Sequence, residues 1–202
     1  MIDILLNFLP EKSNFINLFS YLTTRTILAT LTGLMMVLFL GETFINRIRA
    51  LQFQQSIGDR GPDSHKIKDG TPTMGGLLII GSVILSGFLW GDLTNKYLLI
   101  SIFCLFMFAL IGFVDDYNKI KQKNQEGMSG ISKIFWQFIC ACIISVILYT
   151  TAENKSEISY IVPFFKEVVL DFGVWFIFIS IFIIIGSSNA VNLTDGLDGL
   201  AI

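Results

Sequence analysis

Charge is what this chain of 202 residues has least of: Asp, Glu, Lys and Arg make up 15% of it, where globular domains carry roughly 25%. So few ionic side chains cannot clothe a water-facing surface, which excludes an ordinary soluble domain. Cysteine is scarce as well. The three thiols, Cys104, Cys140 and Cys142, all lie in apolar stretches, so a secreted disulfide scaffold is excluded too. Cys140 and Cys142 stand two apart and point to different faces of any helix, which reads as packing rather than as a disulfide or a metal pair. No basic run speaks for nucleic acid. The N-terminus carries Asp3 and no early Lys or Arg, which is not the start of a signal peptide. Internal repeats and low-complexity tracts are missing, and the net charge of −2 says little by itself.

What is there is hydrocarbon. Apolar residues make up 53% of the chain and the mean hydropathy is +0.68. A helix needs about 20 apolar residues to cross about 30 Å of lipid. Five such segments would fill roughly half the chain, which matches the apolar share. The sequence therefore predicts an all-α integral membrane protein, a single transmembrane domain over 1–202 with spans at 22–44, 74–90, 97–114, 134–151 and 172–191. The short apolar stretch 2–9, closed by Pro10, reads as a helix lying at the interface. Arg25, one turn inside the first span, can snorkel to the nearer surface. The second span holds Gly75, Gly76, Gly81 and Gly87, which predicts close helix–helix approach. The stretch 159–170, β-branched and broken by Pro163, suits a small extended hairpin.

Basic residues alternate from loop to loop. Arg47, Arg49, Arg60, Lys66 and Lys68 fall between the first two spans, and Lys119, Lys121, Lys123 and Lys133 between the third and fourth. The other side has only Lys12, Lys96, Lys155 and Lys166, spread over three segments. By the positive-inside rule the loops 45–73 and 115–133 are expected to be cytoplasmic, with the N-terminus outside and Ile202 inside.

Three polar clusters fall on that inner side. The first, 61–76, carries His65, Lys66, Lys68, Thr71 and Thr73 among prolines and glycines and ends where a helix begins. Accessible backbone N–H groups, hydroxyls and lysines can cradle an anion there; Thr71 and Thr73 would also serve as plain helix caps. His65, the single histidine, reads as a solvated loop residue. The second cluster is Asp115 and Asp116, followed by Tyr117, Asn118 and Lys119, directly after an apolar run. Adjacent carboxylates at the mouth of a span are costly unless they face water, a cation or a partner. They suit divalent-metal and phosphate chemistry, or else form a polar stop at the membrane edge. The third cluster, 189–200, holds Asn189, Asn192, Asp195 and Asp198 in a glycine-rich turn. Asp195 and Asp198 stand three apart and share one side of any helical turn. The run lacks the alternating oxygen ligands and distal Glu of a calcium loop, and its amides and carboxylates suit a base or sugar, unless it is a turn without a ligand. Together the clusters equip one membrane face to bring a polar phosphorylated substrate to a lipid.

These blocks, in this order and spacing, resemble the signatures of the bacterial phospho-N-acetylmuramoyl-pentapeptide-transferase family, within the polyprenyl-phosphate N-acetylhexosamine-1-phosphate transferase superfamily. The run Asn-Leu-Thr-Asp-Gly-Leu-Asp-Gly-Leu from Asn192 is the most specific, and Lys-x-Gly-Thr-Pro-Thr-Met-Gly-Gly from Lys68 points to the muramoyl-pentapeptide branch. The resemblance implies a Mg²⁺-dependent enzyme of the bacterial plasma membrane. It would transfer phospho-MurNAc-pentapeptide from UDP-MurNAc-pentapeptide to undecaprenyl phosphate, giving lipid I and UMP, a step of peptidoglycan synthesis and so of cell-wall growth and division. By the same resemblance Asp115 and Asp116 are the catalytic acids, and Lys68 and Thr73 face the nucleotide and diphosphate. Asn189, Asn192, Asp195 and Asp198 line the uridine and metal region, Lys119 and Lys133 contact phosphate, and Asp115, Asp116 and Asp195 are the metal candidates. Members of the family have ten transmembrane helices, so the expectation is an N-terminal half, inactive alone, with a further aspartate and a histidine-rich loop beyond Ile202. A homodimer is the assembly left open. Two rivals stand beside this reading. One is the sister enzyme that transfers GlcNAc-1-phosphate to the same lipid. The other is a non-enzymatic membrane protein, disfavoured because a transporter keeps its polar residues near mid-membrane.

Overall fold

A computed structural model describes residues 18–50, 74–122, 127–161, 164 and 169–194. They form two compact units, 1–129 and 130–202, and each is described by itself. The first holds α1 (Leu22–Ala50), α2 (Gly76–Trp90) and α3 (Lys96–Gln122). The second holds α4 (Gly130–Thr150), a 3₁₀ turn (Lys155–Ile158), β1 (Ser159–Ile161), β2 (Val169–Asp171) and α5 (Trp175–Thr194).

Among the described residues, four helices are long and apolar enough to cross a membrane, over Leu22–Ala50, Lys96–Lys121, Gly130–Thr150 and Trp175–Asn192. Large side chains on them point outward: Phe39 is 73% exposed and Phe182 78%, tolerable only against lipid. The fold is that of an all-α membrane protein. The second expected span, 74–90, differs. As a helix it has 15 residues, about 22 Å, and falls short of the hydrocarbon thickness. α5 passes its expected end at 191 and runs to Thr194, which puts Asn192 on a helix and not in a turn. Two more helices outrun their apolar runs. α1 continues to Ala50 and α3 to Gln122, so Asp115, Asp116 and Lys119 sit on a helix and not in a loop. Each ends with basic residues in its last turn, Arg47 and Arg49 in one, Lys119 and Lys121 in the other, where cations favour the negative end of the helix dipole.

Small residues join α1 to α2, but not the glycines that sequence reasoning singles out. Gly75, Gly76 and Gly81 have open space where a Cβ would stand, and a Cβ on Gly87 would touch Ile102 of α3 at 3.4 Å, whereas one on Gly33 would lie 3.3 Å from the Ser86 Oγ. Ser82 and Ser86 are buried. Their hydroxyls donate to the carbonyls of Ile79 and Ser82 at 2.7 Å each, so the close face leaves neither hydroxyl unpaired. Trp90 adds an inter-helix bond, its Nε1 donating to Thr32 Oγ1 at 2.9 Å. Arg25 donates its Nε to the Phe19 carbonyl at 2.7 Å.

The short link to α3 is built on side-chain acceptors. Asp92 Oδ1 takes the Thr94 N–H at 2.9 Å and its hydroxyl at 2.6 Å. Those two donors hold the Asp92 carboxyl below the usual carboxylate range. Asn95 then caps α3, accepting the Tyr97 N–H at 2.9 Å.

In the second unit α4 and α5 pack through Cys140, Ala141, Ile144 and Ser145 on one side and Phe176, Ser180 and Ile181 on the other, all buried. The three cysteines are free thiols. The hairpin forms, one residue longer than expected: β1 and β2 pair antiparallel with Ser159 opposite Asp171 and Ile161 opposite Val169. Tyr160 ties it to α5, its hydroxyl 2.7 Å from the Ser180 Oγ and its ring 5.4 Å from that of Phe176.

Candidate active site

The acid pair lies where α3 turns from apolar to polar. The helix continues through it because Asp115 and Lys119 stand four apart with the acid first, the favoured order for a helical ion pair. Lys119 Nζ reaches Asp115 Oδ2 at 2.7 Å and Asp116 Oδ1 at 3.4 Å. One ammonium thus faces both carboxylates, which relieves the repulsion of two adjacent negative charges.

The two acids differ sharply in surroundings. Asp115 is buried, its side chain 11% exposed against 37% for Asp116. Asp115 also accepts the Met128 backbone N–H through Oδ1 at 2.8 Å, which anchors the chain just before α4. The anchor needs glycine beside it. Gly127 has φ +55°, and a Cβ there would stand 2.6 Å from Asp115 Oδ1 and 2.8 Å from the Lys119 Cε. That backbone conformation already favours glycine. Sequence reasoning missed Gly127 and the Met128 N–H. The only available signal was a lone glycine closing a polar stretch.

In the second unit Asn189, on α5, donates its Nδ2 to Gln137 Oε1 at 2.8 Å and to the Ile185 carbonyl at 2.9 Å. Gln137 is buried at 3% exposure and was also missed; as an amide within the apolar run of α4 it was visible. Lys133 stands one turn before Gln137 on the same face of α4, and Asn192 one turn beyond Asn189 on α5. Lys133 is half-buried and Asn192 exposed. The Asn189 amide nitrogen is engaged, so its Oδ1 is the atom left to accept a hydrogen bond from a ligand among the described residues.

The remaining expected site residues, Lys68, Thr73, Asp195 and Asp198, lie outside the described residues, as do His65 and Thr71. The described tail of the first block carries strain at its edge. Met74 has φ +69°, uncommon for a residue with a side chain, and α2 starts at Gly76 with Gly75 as its N-cap and no side-chain cap.

No group of three or more metal-ligating side chains stands together among the described residues. The acid pair still fits Mg²⁺ by donor chemistry. The ion takes oxygen ligands, and one or two carboxylates suffice when substrate phosphates and water complete its shell. Asp116 has the accessible oxygens, while both Asp115 oxygens are already contacted.

Two family comparisons bear on these residues. The model for glycosyl transferase family 4 matches residues 98–202, slightly more than half of the chain. That stretch contains the acid pair, Lys119, Lys133 and the whole 189–200 cluster. The phospho-N-acetylmuramoyl-pentapeptide-transferase signature 1 matches residues 68–80, from Lys68 into the first turns of α2. A phosphoglycosyl transferase signature heading one apolar helix and a carboxylate pair ending the next agree in kind: the chain belongs to glycosyl transferase family 4, among the phospho-N-acetylmuramoyl-pentapeptide and polyprenyl-phosphate hexosamine-1-phosphate transferases.

Proposed function

We propose that the protein transfers phospho-MurNAc-pentapeptide from its UDP carrier to undecaprenyl phosphate at the cytoplasmic face of the bacterial plasma membrane, releasing UMP and lipid I. The observation that carries the choice of donor is the 68–80 match to the muramoyl-pentapeptide signature. An oxygen of the lipid phosphate forms a bond to the sugar-linked phosphorus, and the bond from that phosphorus to the UMP oxygen breaks. The chemistry requires little more than neutralised charge and in-line positioning.

The arrangement on α3 supports this reading. Asp116 has room to take a proton from the lipid phosphate or to hold a cation. Asp115 is fixed by Met128 and Lys119, and it keeps the lysine beside its neighbour. Asp116 would hold Mg²⁺, with Asp195 a further candidate and Asp115 joining only by giving up its contact with Lys119; the ion would supply charge neutralisation for the diphosphate and the departing UMP. Lys68 and Thr73 are assigned to the nucleotide diphosphate, with Lys119 and Lys133 as further phosphate contacts. Asn189, Asn192, Asp195 and Asp198 are assigned to the uridine end, where Asn189 offers its carbonyl oxygen to a base N–H.

The test is a donor assay on membranes holding the protein expressed from its complete gene, free of endogenous enzyme. With Mg²⁺ and undecaprenyl phosphate, radiolabel from UDP-MurNAc-pentapeptide should pass to lipid. Transfer from UDP-GlcNAc instead would move the protein to the GlcNAc-1-phosphate branch, and transfer from neither would end the enzymatic reading.

A further inference from the structure

The hairpin of the second unit has two unlike faces. Tyr160 points to α5, where its hydroxyl meets Ser180 and its ring meets Phe176. Successive side chains alternate along a strand, so Ile161 points away from α5, and Val169 stands opposite it on the same outer face. Ile161 is 64% exposed and Val169 54%. Phe164, in the connection between the strands, is fully exposed and has φ +71°. A phenylalanine held in the left-handed region and open to water bears two costs at once. Nothing among the described residues offsets either.

The hairpin's level along α5 points to what covers this face. α5 has 20 residues, about 30 Å, which matches the hydrocarbon layer, so its start at Trp175 stands near the lipid–water boundary. Ser180 lies five residues further in, about 8 Å. Through Tyr160 the hairpin is thus pinned beside the first turns of a span and not above them. Val174 and Trp175, which follow β2 in the chain, are exposed as well. Trp175, Phe178 and Phe182 then recur at helical spacing as an exposed stripe of α5, so apolar surface runs from the hairpin into a lipid-facing helix. We infer that Ile161, Phe164 and Val169 bed into the headgroup–acyl boundary of the bilayer and make the hairpin an interfacial anchor for α5.

Lipid fits this face better than a protein partner does. Three side chains of at most about 250 Å² each fall short of the roughly 800 Å² that each side of a stable protein interface buries. Each strand has three residues, too short an edge to template pairing with a second copy. Ser159 and Asp171 face each other at the far end of the same outer face, so it is the connection end, with Phe164, that enters the lipid. Aromatic and aliphatic side chains at the end of a span are what the interfacial layer takes up. The anchor stands apart from the acid pair and does not rest on the transferase reading.

Spin labels read the depth of the hairpin directly. The protein expressed from its complete gene, with every native cysteine replaced, is reconstituted into vesicles of phosphatidylcholine and phosphatidylglycerol. Single nitroxides go to Phe164→Cys and Val169→Cys, with Glu153→Cys as the water reference and Phe182→Cys as the hydrocarbon reference, all exposed positions. Collisions with a water-soluble nickel chelate at Phe164→Cys should fall about threefold or more below those at Glu153→Cys, as for a site about 5–10 Å into the interface. Collisions with oxygen should rise toward the level at Phe182→Cys. Val169→Cys should follow the same pattern, and it decides alone if Phe164→Cys fails to fold. Nickel access equal to that at Glu153→Cys would overturn the proposal. Low access to both reagents would overturn it as well, since protein would then cover the face; spectral broadening that disappears on dilution with unlabelled protein would identify that cover as a second copy.

Discussion

A carboxylate that accepts a backbone N–H and a lysine ammonium at once is held in one orientation, and Asp115 is so held by Met128 and Lys119. Asp116 meets the same lysine only at 3.4 Å and keeps more of its surface open. The two acids should therefore fail differently. Asp116→Asn is expected to cut turnover by about 10²-fold or more if the group moves a proton, with the melting temperature in detergent nearly unchanged. Asp115→Asn should lower both, because it removes the charge that Lys119 pairs with in a buried place, a loss of roughly 1–3 kcal/mol. Equal melting curves for the two variants would contradict this division. Gly127→Ala extends the test without touching a charge. Its left-handed backbone alone should cost roughly 1 kcal/mol, and the new methyl would push on the Asp115 carboxylate. Reduced turnover with the helix content intact by circular dichroism is the expected result.

At the scale of elements, helices follow from hydropathy while helix ends and contacts do not. Each expected span is a helix, because long apolar runs leave the backbone no other way to pair its N–H and C=O groups in lipid. The ends were harder to read. α3 passes its apolar limit at Val114 to reach Gln122, since Asp115 and Lys119 support the helix where hydropathy sees only a stop. Contacts were harder still. Of the four glycines in the second span, Gly87 meets a neighbour, Ile102 of α3, while Ser82, Ser86 and Gly33 make the approach to α1, and which residue of α1 meets them is a long-range fact. The acids and asparagines of the site were legible as residue types. Gln137 gains its meaning only from Asn189, 52 residues away. Gln137→Leu leaves that amide one acceptor fewer. We expect a modest loss of stability, on the order of 0.6 kcal/mol for an inter-helix bond in a membrane protein, read as a small shift in thermal unfolding. Turnover should fall further than stability if Asn189 orients the nucleotide; a larger fall in stability than in turnover would make the pair structural.

Across the whole molecule, basic residues sort the loops, and the expected topology can be checked one position at a time. With Cys104, Cys140 and Cys142 replaced, Thr94→Cys should react with a membrane-impermeant maleimide in sealed cells, and Lys121→Cys should react only after permeabilisation. The reverse pattern would invert the protein and place the acid pair outside. The shortness of α2 adds a demand on the bilayer itself. Its 15 residues lie against the 29 of α1, so one flank of the first unit presents about 22 Å of apolar length to lipid that is about 30 Å thick. Such hydrophobic mismatch costs fractions of a kcal/mol per ångström and is relieved where the membrane thins. Reconstituted into bilayers of increasing acyl-chain length, the protein should lose thermal stability steadily. Membrane thickness would then set how stable this protein is.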